Sequence, residues 1–254
     1  MIQSISNCFI NKNIIITGAS SGIGKEIAIF LSRLGAHVIL IARNTDKLQD
    51  TLSKVEASKG SIFAYDLQRL DGINELIDSI VLSVGKIYGL VHAAGIQVTL
   101  PYKRTSIDIM KEVFNINTFA FFELVKAITR KDLCDEGCSL VAVSSVYSRI
   151  GSSGLSVYGA SKAALESMVK SLALELSKKK IRVNSISPAY IKAGMLDNLR
   201  KILSDDEIDA LEKRIPLGFG ESEDVTNAVA FLLSTASKWI TGTSLIVDGG
   251  FLAQ

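Results

Sequence analysis

The stretch NIIITGASSGIGKEIAIFLSRLG, residues 13–35, decides how this chain is read. Asn13–Thr17 is a short β-branched run that halts at Gly18, the pattern of a buried strand. Ile23, Ile27, Phe30, Leu31 and Leu34 then recur at helical spacing, and Gly35 supplies a C-terminal stop. Between the two lies the turn Thr17–Gly24, with glycines at 18, 22 and 24. Glycine lets a backbone turn sharply and approach a ligand closely. The helix N-terminus beyond it, at Ile23, offers free N–H groups and a partial positive charge that suit a pyrophosphate. Ser20 and Ser21 add hydroxyl donors. The spacing is G-x-x-x-G-x-G, not the general G-x-G-x-x-G dinucleotide fingerprint, and a turn of this kind also serves as a plain tight connection. Its place after the first strand of an alternating chain is what favours a nucleotide.

That alternation runs to the end. Strands are predicted at His37–Ala42, Ile62–Tyr65, Tyr88–Ala93, Ser139–Ser144, Ile181–Ser187 and Ser244–Val247. Helices are predicted over 46–58, around Ile73, Leu76, Ile77 and Ile80, and over 106–130. Further helical stripes run along Leu165, Met168, Val169, Leu172 and Leu176, and along Val225, Ala228, Val229 and Leu232. Near-continuous apolar strands alternating with helices imply an α/β protein, a doubly wound Rossmann fold with a seven-stranded parallel sheet flanked by helices on both faces. Pro101, Pro188 and Pro216 all fall in predicted loops, and no repeat or linker interrupts the chain. The expectation is a single domain, 1–254.

Composition narrows the function. Lys and Arg number 28 against 26 Asp and Glu, a net charge of +2, which lacks the basic face that tracking a nucleic-acid polymer needs. An apolar fraction of 48% excludes disorder. No apolar run approaches the roughly 20 residues that span a bilayer, so no membrane association is expected. The opening MIQSISNCFINKN lacks a charged start followed by an apolar stretch, so no signal peptide is expected. Three cysteines, Cys8, Cys134 and Cys138, form the odd, low count of a reducing, cytoplasmic setting. Cys134 and Cys138 could share a helix face. A zinc site needs about four ligands, and the two histidines, His37 and His92, lie in other elements, so no metal is expected.

Two further places carry chemistry. A carboxylate after the second strand would bind the ribose 2′-OH of NAD. Here that strand ends Ala42-Arg43-Asn44, and the first acid is Asp46. Arg43 suits a 2′-phosphate, which favours NADP(H) and leaves NAD(H) possible, unless Arg43 is a solvated surface residue. Tyr158 and Lys162 stand four apart at the start of a helix and so share a face. An ammonium beside a phenol lowers its pKa, which lets the pair exchange a proton with a carbonyl or alcohol oxygen. Tyr-x-x-x-Lys alone is common. Ser145, thirteen residues upstream at the end of the fifth strand, strengthens it, because sites in open parallel sheets lie outside the carboxyl ends of the strands.

With these residues the chain resembles the short-chain dehydrogenase/reductase family, and most closely its 3-oxoacyl-(acyl-carrier-protein) reductase-like branch. The matching stretches are TGASSGIG (17–24), Asp66-Leu67, HAAG (92–95), Asn117 in FNINTF, SSV (144–146) and YGASK (158–162). RVNSISPA (182–189), PLGFG (216–220) and TGTSLIVDGG (241–250) complete the series. The resemblance implies Tyr158 as catalytic acid/base and Lys162 as ligand of the nicotinamide ribose that lowers the Tyr158 pKa. It implies Ser145 as holder of the substrate oxygen and Asn117, in preference to Asn115, as support of a proton relay. It assigns cofactor contacts to Gly18, Ser20, Ser21, Gly22, Ile23, Gly24, Arg43 and Asn44. It extends them to Asp66, Leu67, Ala93, Ala94, Gly95, Tyr158, Lys162, Pro188 and Ile191. A dimer or tetramer is also implied, with the Tyr158-bearing helix and the strand near Leu245–Val247 at interfaces.

Three departures from the family pattern stand out. Asn-Asn-Ala-Gly is replaced by His92-Ala93-Ala94-Gly95, which removes an amide that stitches the central strands; the loss of one hydrogen bond is worth about 1 kcal/mol. His92 itself reads as a structural histidine. Pro188-Ala189 replaces Pro-Gly, and Ala193 stands where a threonine grips the carboxamide. The segment 190–215, with a capping box at Ser204–Glu207, suits a substrate lid, or else a rigid pair of short helices. The reading is an NADP(H)-dependent oxidoreductase of a carbonyl or secondary alcohol. The alternatives are an NAD-dependent sugar, polyol or steroid dehydrogenase of the same fold, or a non-catalytic nucleotide sensor.

Overall fold

The computed structural model describes residues 8–56, 59–192 and 204–253. Its strands are β1 (Asn13–Thr17), β2 (His37–Ala42), β3 (Gly60–Ala64), β4 (Ile87–His92), β5 (Cys134–Val143), β6 (Arg182–Pro188) and β7 (Ser244–Val247). They form one sheet in the order β3-β2-β1-β4-β5-β6-β7, every neighbouring pair parallel. The chain therefore starts near the middle, winds out to one edge, returns and winds to the other. Strand order reverses between β1 and β4, and a crevice opens there at the carboxyl ends, where such sheets bind ligands.

The helices are α1 (Gly22–Arg33), α2 (Thr45–Leu52), α3 (Ile73–Val84), α4 (Ile107–Phe114), α5 (Ala120–Ile128), α6 (Ser156–Leu176), α7 (Asp205–Glu212) and α8 (Ser222–Leu233). Because side chains alternate along a strand, each buried strand feeds two cores. Ile15, Ile39, Ile41, Leu90 and Leu140 pack under α3, α5 and α6. Ile14, Ile16, Val38, Leu40 and Val141 pack under α1 and α8. The buried Arg182 guanidinium donates to the carbonyls of Leu232, Leu233 and Ser234 at the end of α8, where a cation meets the negative pole of a helix.

Three sequence expectations are corrected. The second helix ends at Leu52 rather than 58. The helix expected over 106–130 is broken by a π-helical turn, Asn115–Phe119, between α4 and α5. Cys134 and Cys138 lie on strand β5, not on a helix, because β5 starts five residues before the run that the apolar pattern marks. Ala193 and residues up to 203 of the expected lid lie outside the described residues.

His92, at the end of β4, is fully buried. Its Nε2 lies 3.0 Å from the Ile116 carbonyl, which can only accept, so Nε2 carries the hydrogen and Nδ1 accepts from the Thr17 hydroxyl at 3.0 Å. Thr17 Oγ1 in turn accepts from Ala94 N–H at 3.1 Å. This imidazole ties β1, β4 and the π-helical turn together, which compensates for the amide missing at Ala93. Burial pushes its pKa down to about 3, with Lys162 adding to the fall. A histidine depressed in the folded state contributes stability that is complete above its unfolded pKa near 6.5 and is lost as pH falls toward about 3. From this one group, denaturant unfolding is expected to show about 2 kcal/mol less stability at pH 5 than at pH 7. His92→Asn is expected to fold and to lose that slope; an unchanged slope would assign the acid lability elsewhere.

Candidate active site

The first wall of the crevice is the turn between β1 and α1. Gly18 has φ +69°, and a Cβ there would stand 2.8 Å from the Ala94 nitrogen and 2.9 Å from the Ala93 carbonyl oxygen. Backbone meets backbone at this point, so only glycine fits. A Cβ on Gly24 would stand 2.5 Å from the Gly18 carbonyl oxygen, so α1 is seated directly on the turn. Ser21 is the N-cap of α1, yet no side chain caps that end and no acid occupies its first turn. The free N–H groups and the positive pole of α1 are thus left to an anion.

A cleft of about 590 Å³ runs along this turn and is lined by Gly18, Ser20, Ser21, Ile23, Gly24, Arg43, Asn44, Asp66, Leu67, Ala93, Ala94 and Gly95. Twelve of the residues picked out in the sequence are thereby brought onto one wall. Gly22 lies beside the neighbouring recess with Lys25 and Asp50. The cleft also takes in Ile41, Ala42, Lys47, Tyr65, Ile96 and Ile116, none of them marked in the sequence. Lys47 could have been found: it stands one helical turn beyond Arg43, and both are exposed and outside any ion pair among the described residues. Asn44 caps α2, accepting from Lys47 N–H at 2.8 Å, so its amide N–H₂ is the part left for a ligand.

Pro188 and Ile191 do not reach this wall. Pro188 is the buried last residue of β6, paired with Val247. Ile191 packs into the core under α8, and its segment is bridged to Gly220. The strands' alternation cannot extend past Pro188, so the sequence pattern offers no orientation there.

Beside the cleft, one face of α6 carries Tyr158, Lys162 and Glu166 at successive turns, with Lys162 Nζ next to Gly95 of the lining. Lys162 is buried, and its Nζ donates to the Val143 carbonyl at 2.7 Å. Burial pushes its pKa down to about 8. The Tyr158 hydroxyl hydrogen-bonds Ser145, which begins the turn after β5 and caps it by accepting from Tyr147 N–H at 3.3 Å. Burial pushes the Tyr158 phenol up, the Ser145 hydrogen bond opposes this, and Tyr147 adds to the rise. The Lys162 ammonium points at Val143, with its nitrogen 5.8 Å from the Tyr158 ring centre.

Asn117 sits in the π-helical turn, fully buried. Its Oδ1 accepts from Ile96 N–H at 2.8 Å, and its Nδ2 donates to the Ile96 carbonyl and to Ser161 Oγ, both at 3.0 Å. Asn117 Oδ1 and Lys162 Nζ flank Gly95, each 3.3 Å from the point where a Cβ would stand. Asn115 instead pairs with Gln68 on the outside. Asn117, not Asn115, is therefore the asparagine at the site. A π-helical turn inserted in a helix is frequent at functional sites.

Glu166 anchors the site from beneath, a role no sequence pattern marked. Its Oε1 accepts from Ser144 (2.9 Å), Ser148 (2.7 Å), Ser187 (2.6 Å) and Ser244 (3.0 Å), and Arg149 lies 3.4 Å from Oε2. Burial pushes this carboxyl up, but the four hydroxyls outweigh it and hold the group below the usual carboxylate range. One carboxylate thereby joins α6, the ends of β6 and β7, and the Ser145 turn.

A model of the family described as enoyl-(acyl carrier protein) reductase matches residues 18–252. The chain is 36% identical over 242 residues to the 3-oxoacyl-(acyl-carrier-protein) reductase FabG of Rickettsia conorii, covering 95% of this chain and 97% of that one. It is 34% identical to the human 3-oxoacyl-(acyl-carrier-protein) reductase, over 92% and 95% of the two chains. A dehydrogenase/reductase of Sinorhizobium meliloti superposes with a TM-score of 0.89 at 31% identity, covering 99% and 98%.

Gly18→Ala is expected to lower stability by about 2 kcal/mol or more, because the positive φ and the backbone clash act together; a melting temperature equal to wild type would remove the close approach from the account. Glu166→Ala is expected to cost about 3 kcal/mol, since it leaves four hydroxyls without their acceptor, measured by urea unfolding.

Proposed function

The chain belongs to the short-chain dehydrogenase/reductase family and is an NAD(P)H-dependent oxidoreductase acting on small molecules, and within that family we propose a 3-oxoacyl-reductase-like enzyme that prefers NADP(H). The observation that carries this reading is the grouping of Ser145, Tyr158 and Lys162, with Lys162 beside Gly95 of a cleft that also takes in Arg43 and Lys47. The cleft fits a dinucleotide on the chain's own terms: glycine contacts that a Cβ would fill, an uncapped helix N-terminus, and no acid at the end of β2. Gly18–Gly24 would hold the pyrophosphate, Arg43 and Lys47 the 2′-phosphate, and Asp66 and Leu67 the adenine, with Lys162 at the nicotinamide ribose. When bound, the nicotinamide supplies hydride-transfer chemistry.

The protein's own part is position and protons. Ser145 Oγ and the Tyr158 hydroxyl face one another and together receive the oxygen of a ketone. A phenol held protonated by burial is an acid, so Tyr158 donates its proton to the oxygen as negative charge develops there. Lys162, held near neutrality by burial, is poised to pass a proton on, and Asn117 fixes the Ile96 backbone beside it. In the other direction each proton step reverses. The Tyr190 hydroxyl, at the start of the expected lid 190–215, contacts that of Tyr147 in the Ser145 turn, which supports a lid role for this segment. The 36% relative's substrate, a 3-oxoacyl group on a carrier protein, gives the class to test first.

The whole chain acts as one nucleotide-binding domain in the cytoplasm, and as a homo-oligomer. Trp239 is 96% exposed, and Leu174 on α6 and Ile246 on β7 are exposed as well, apolar side chains that a second copy would cover.

Tyr158→Phe is expected to abolish turnover of 3-oxoacyl thioesters while NADPH binding, read by fluorescence, stays within twofold (about) of wild type. Wild-type turnover in that variant would refute the assignment. Activity on no ketone or alcohol despite cofactor binding would favour a nucleotide sensor. Reduction is expected to slow as pH rises through about 8, where Lys162 loses its proton. Arg43→Ala is expected to weaken NADPH about tenfold or more and leave NADH unchanged, as loss of a charge-assisted contact requires; tighter binding of NADH than NADPH to wild type would indicate an NAD enzyme. Sedimentation at low concentration checks the assembly, and a stable monomer would count against it.

A further inference from the structure

At the amino end of β5, far from the cleft, two thiols are brought together by an irregularity in the sheet. Ile87 of β4 pairs with Cys134, and Gly89 pairs with Ser139. β4 thus advances two residues while β5 advances five. Two residues of strand span about 6.6 Å, so Cys134 and Ser139 are held about that far apart. The surplus residues loop out as a bulge, and Gly137 takes φ +78° to close it. In a regular strand, residues four apart would have Cα atoms about 13 Å apart, well beyond the 7 Å or so that a disulfide tolerates. The bulge removes that obstacle. Cys138 is buried in the core under α3, α5 and α6, and Cys134 packs against the same core, so both sulfurs lie on one side of the strand. The two thiols are hydrogen-bonded to each other.

We propose that Cys134 and Cys138 form a reversible dithiol/disulfide pair, oxidised by hydrogen peroxide or an organic hydroperoxide, with Cys134 as the attacking thiol and Cys138 as the resolving one. Cys134 is the half-buried member and is reachable from solvent, whereas Cys138 is enclosed. The hydrogen bond donated by Cys138 pulls the Cys134 thiol down to about 7; burial and Asp135 oppose this, and Lys179 and Lys86 assist it. The same contact, with burial, pushes Cys138 well up, which keeps it protonated as the donor. The Cys134 thiolate attacks one peroxide oxygen and the O–O bond breaks. Cys134 becomes a sulfenic acid, and the other oxygen takes a proton and leaves as water from hydrogen peroxide or as the alcohol from an organic hydroperoxide. The Cys138 sulfur then attacks the Cys134 sulfur, the S–O bond breaks and a water leaves with the Cys138 proton. Two electrons pass from the two sulfurs to the peroxide. A thiol reductant reverses the change, as a reducing compartment requires.

Exposed Cys8 is the internal control. Purified wild-type protein is treated with hydrogen peroxide, denatured, alkylated and mapped by mass spectrometry. The free thiols are expected to fall from three to one, the remaining one being Cys8, with a Cys134–Cys138 link that dithiothreitol removes. Cys138→Ser is expected to leave Cys134 as a sulfenic acid that dimedone traps, and Cys134→Ser is expected to protect Cys138. Oxidation of Cys8 at the same rate as Cys134, accumulation of sulfinic acid on Cys134 in wild type, or a link only between chains would each overturn the proposal.

Discussion

One face of α6 must satisfy its own buried polar groups, and the site follows from how it does so. Ser161, Lys162 and Glu166 are buried on a helix packed against the sheet, where an unpaired polar group costs about 1–3 kcal/mol or more. Their partners come from everywhere except α6's own side chains. Lys162 finds the Val143 carbonyl at the end of β5, Ser161 finds Asn117 and Thr118 in the π-helical turn, and Glu166 finds serines after β5 and on β6 and β7. Pairing these groups places the Ser145 turn, the π-helical turn, the carboxyl ends of β5 and β6 and the start of β7 around this face of α6. Stability and chemistry are therefore one arrangement, with Tyr158 as its open end.

Across the crevice the governing force is steric. β1 and β4 lie side by side at the switch point, and the Gly18 backbone rests on that of Ala93 and Ala94. His92 locks the contact by joining Thr17 to Ile116, so the glycine turn and the Asn117 turn are set by the same imidazole. A net charge of +2 conceals a local pattern: an uncapped helix end in the middle of the cleft and Arg43 with Lys47 at one side of it.

Much of this was legible in the residues. Strand alternation identified all seven strands, because fully buried parallel strands read as unbroken apolar runs. The glycine turn, Arg43 and Ser145 each follow a strand end, and Tyr158 and Lys162 stand four apart on one helix face, so local pattern marks each of them. What failed did so for physical reasons. The π-helical turn keeps the apolar period of a helix, so 106–130 reads as continuous. The start of β5, CDEGC, is polar and bulged, so no alternation marks it.

The sequence by itself determined the class of fold and singled out Tyr158 and Lys162 as candidates for proton handling, because each reading rests on local spacing: period two, period 3.6, or four residues along a helix. Only the tertiary structure decided the protonation landscape and the anchoring. Whether Lys162 acts on the Tyr158 ring or on Val143, that four serines converge on Glu166, and that Cys134 meets Cys138 are all contacts between segments far apart in the chain or set by a bulge. Their energies depend on burial and on distances in space, and neither is a function of distance along the sequence.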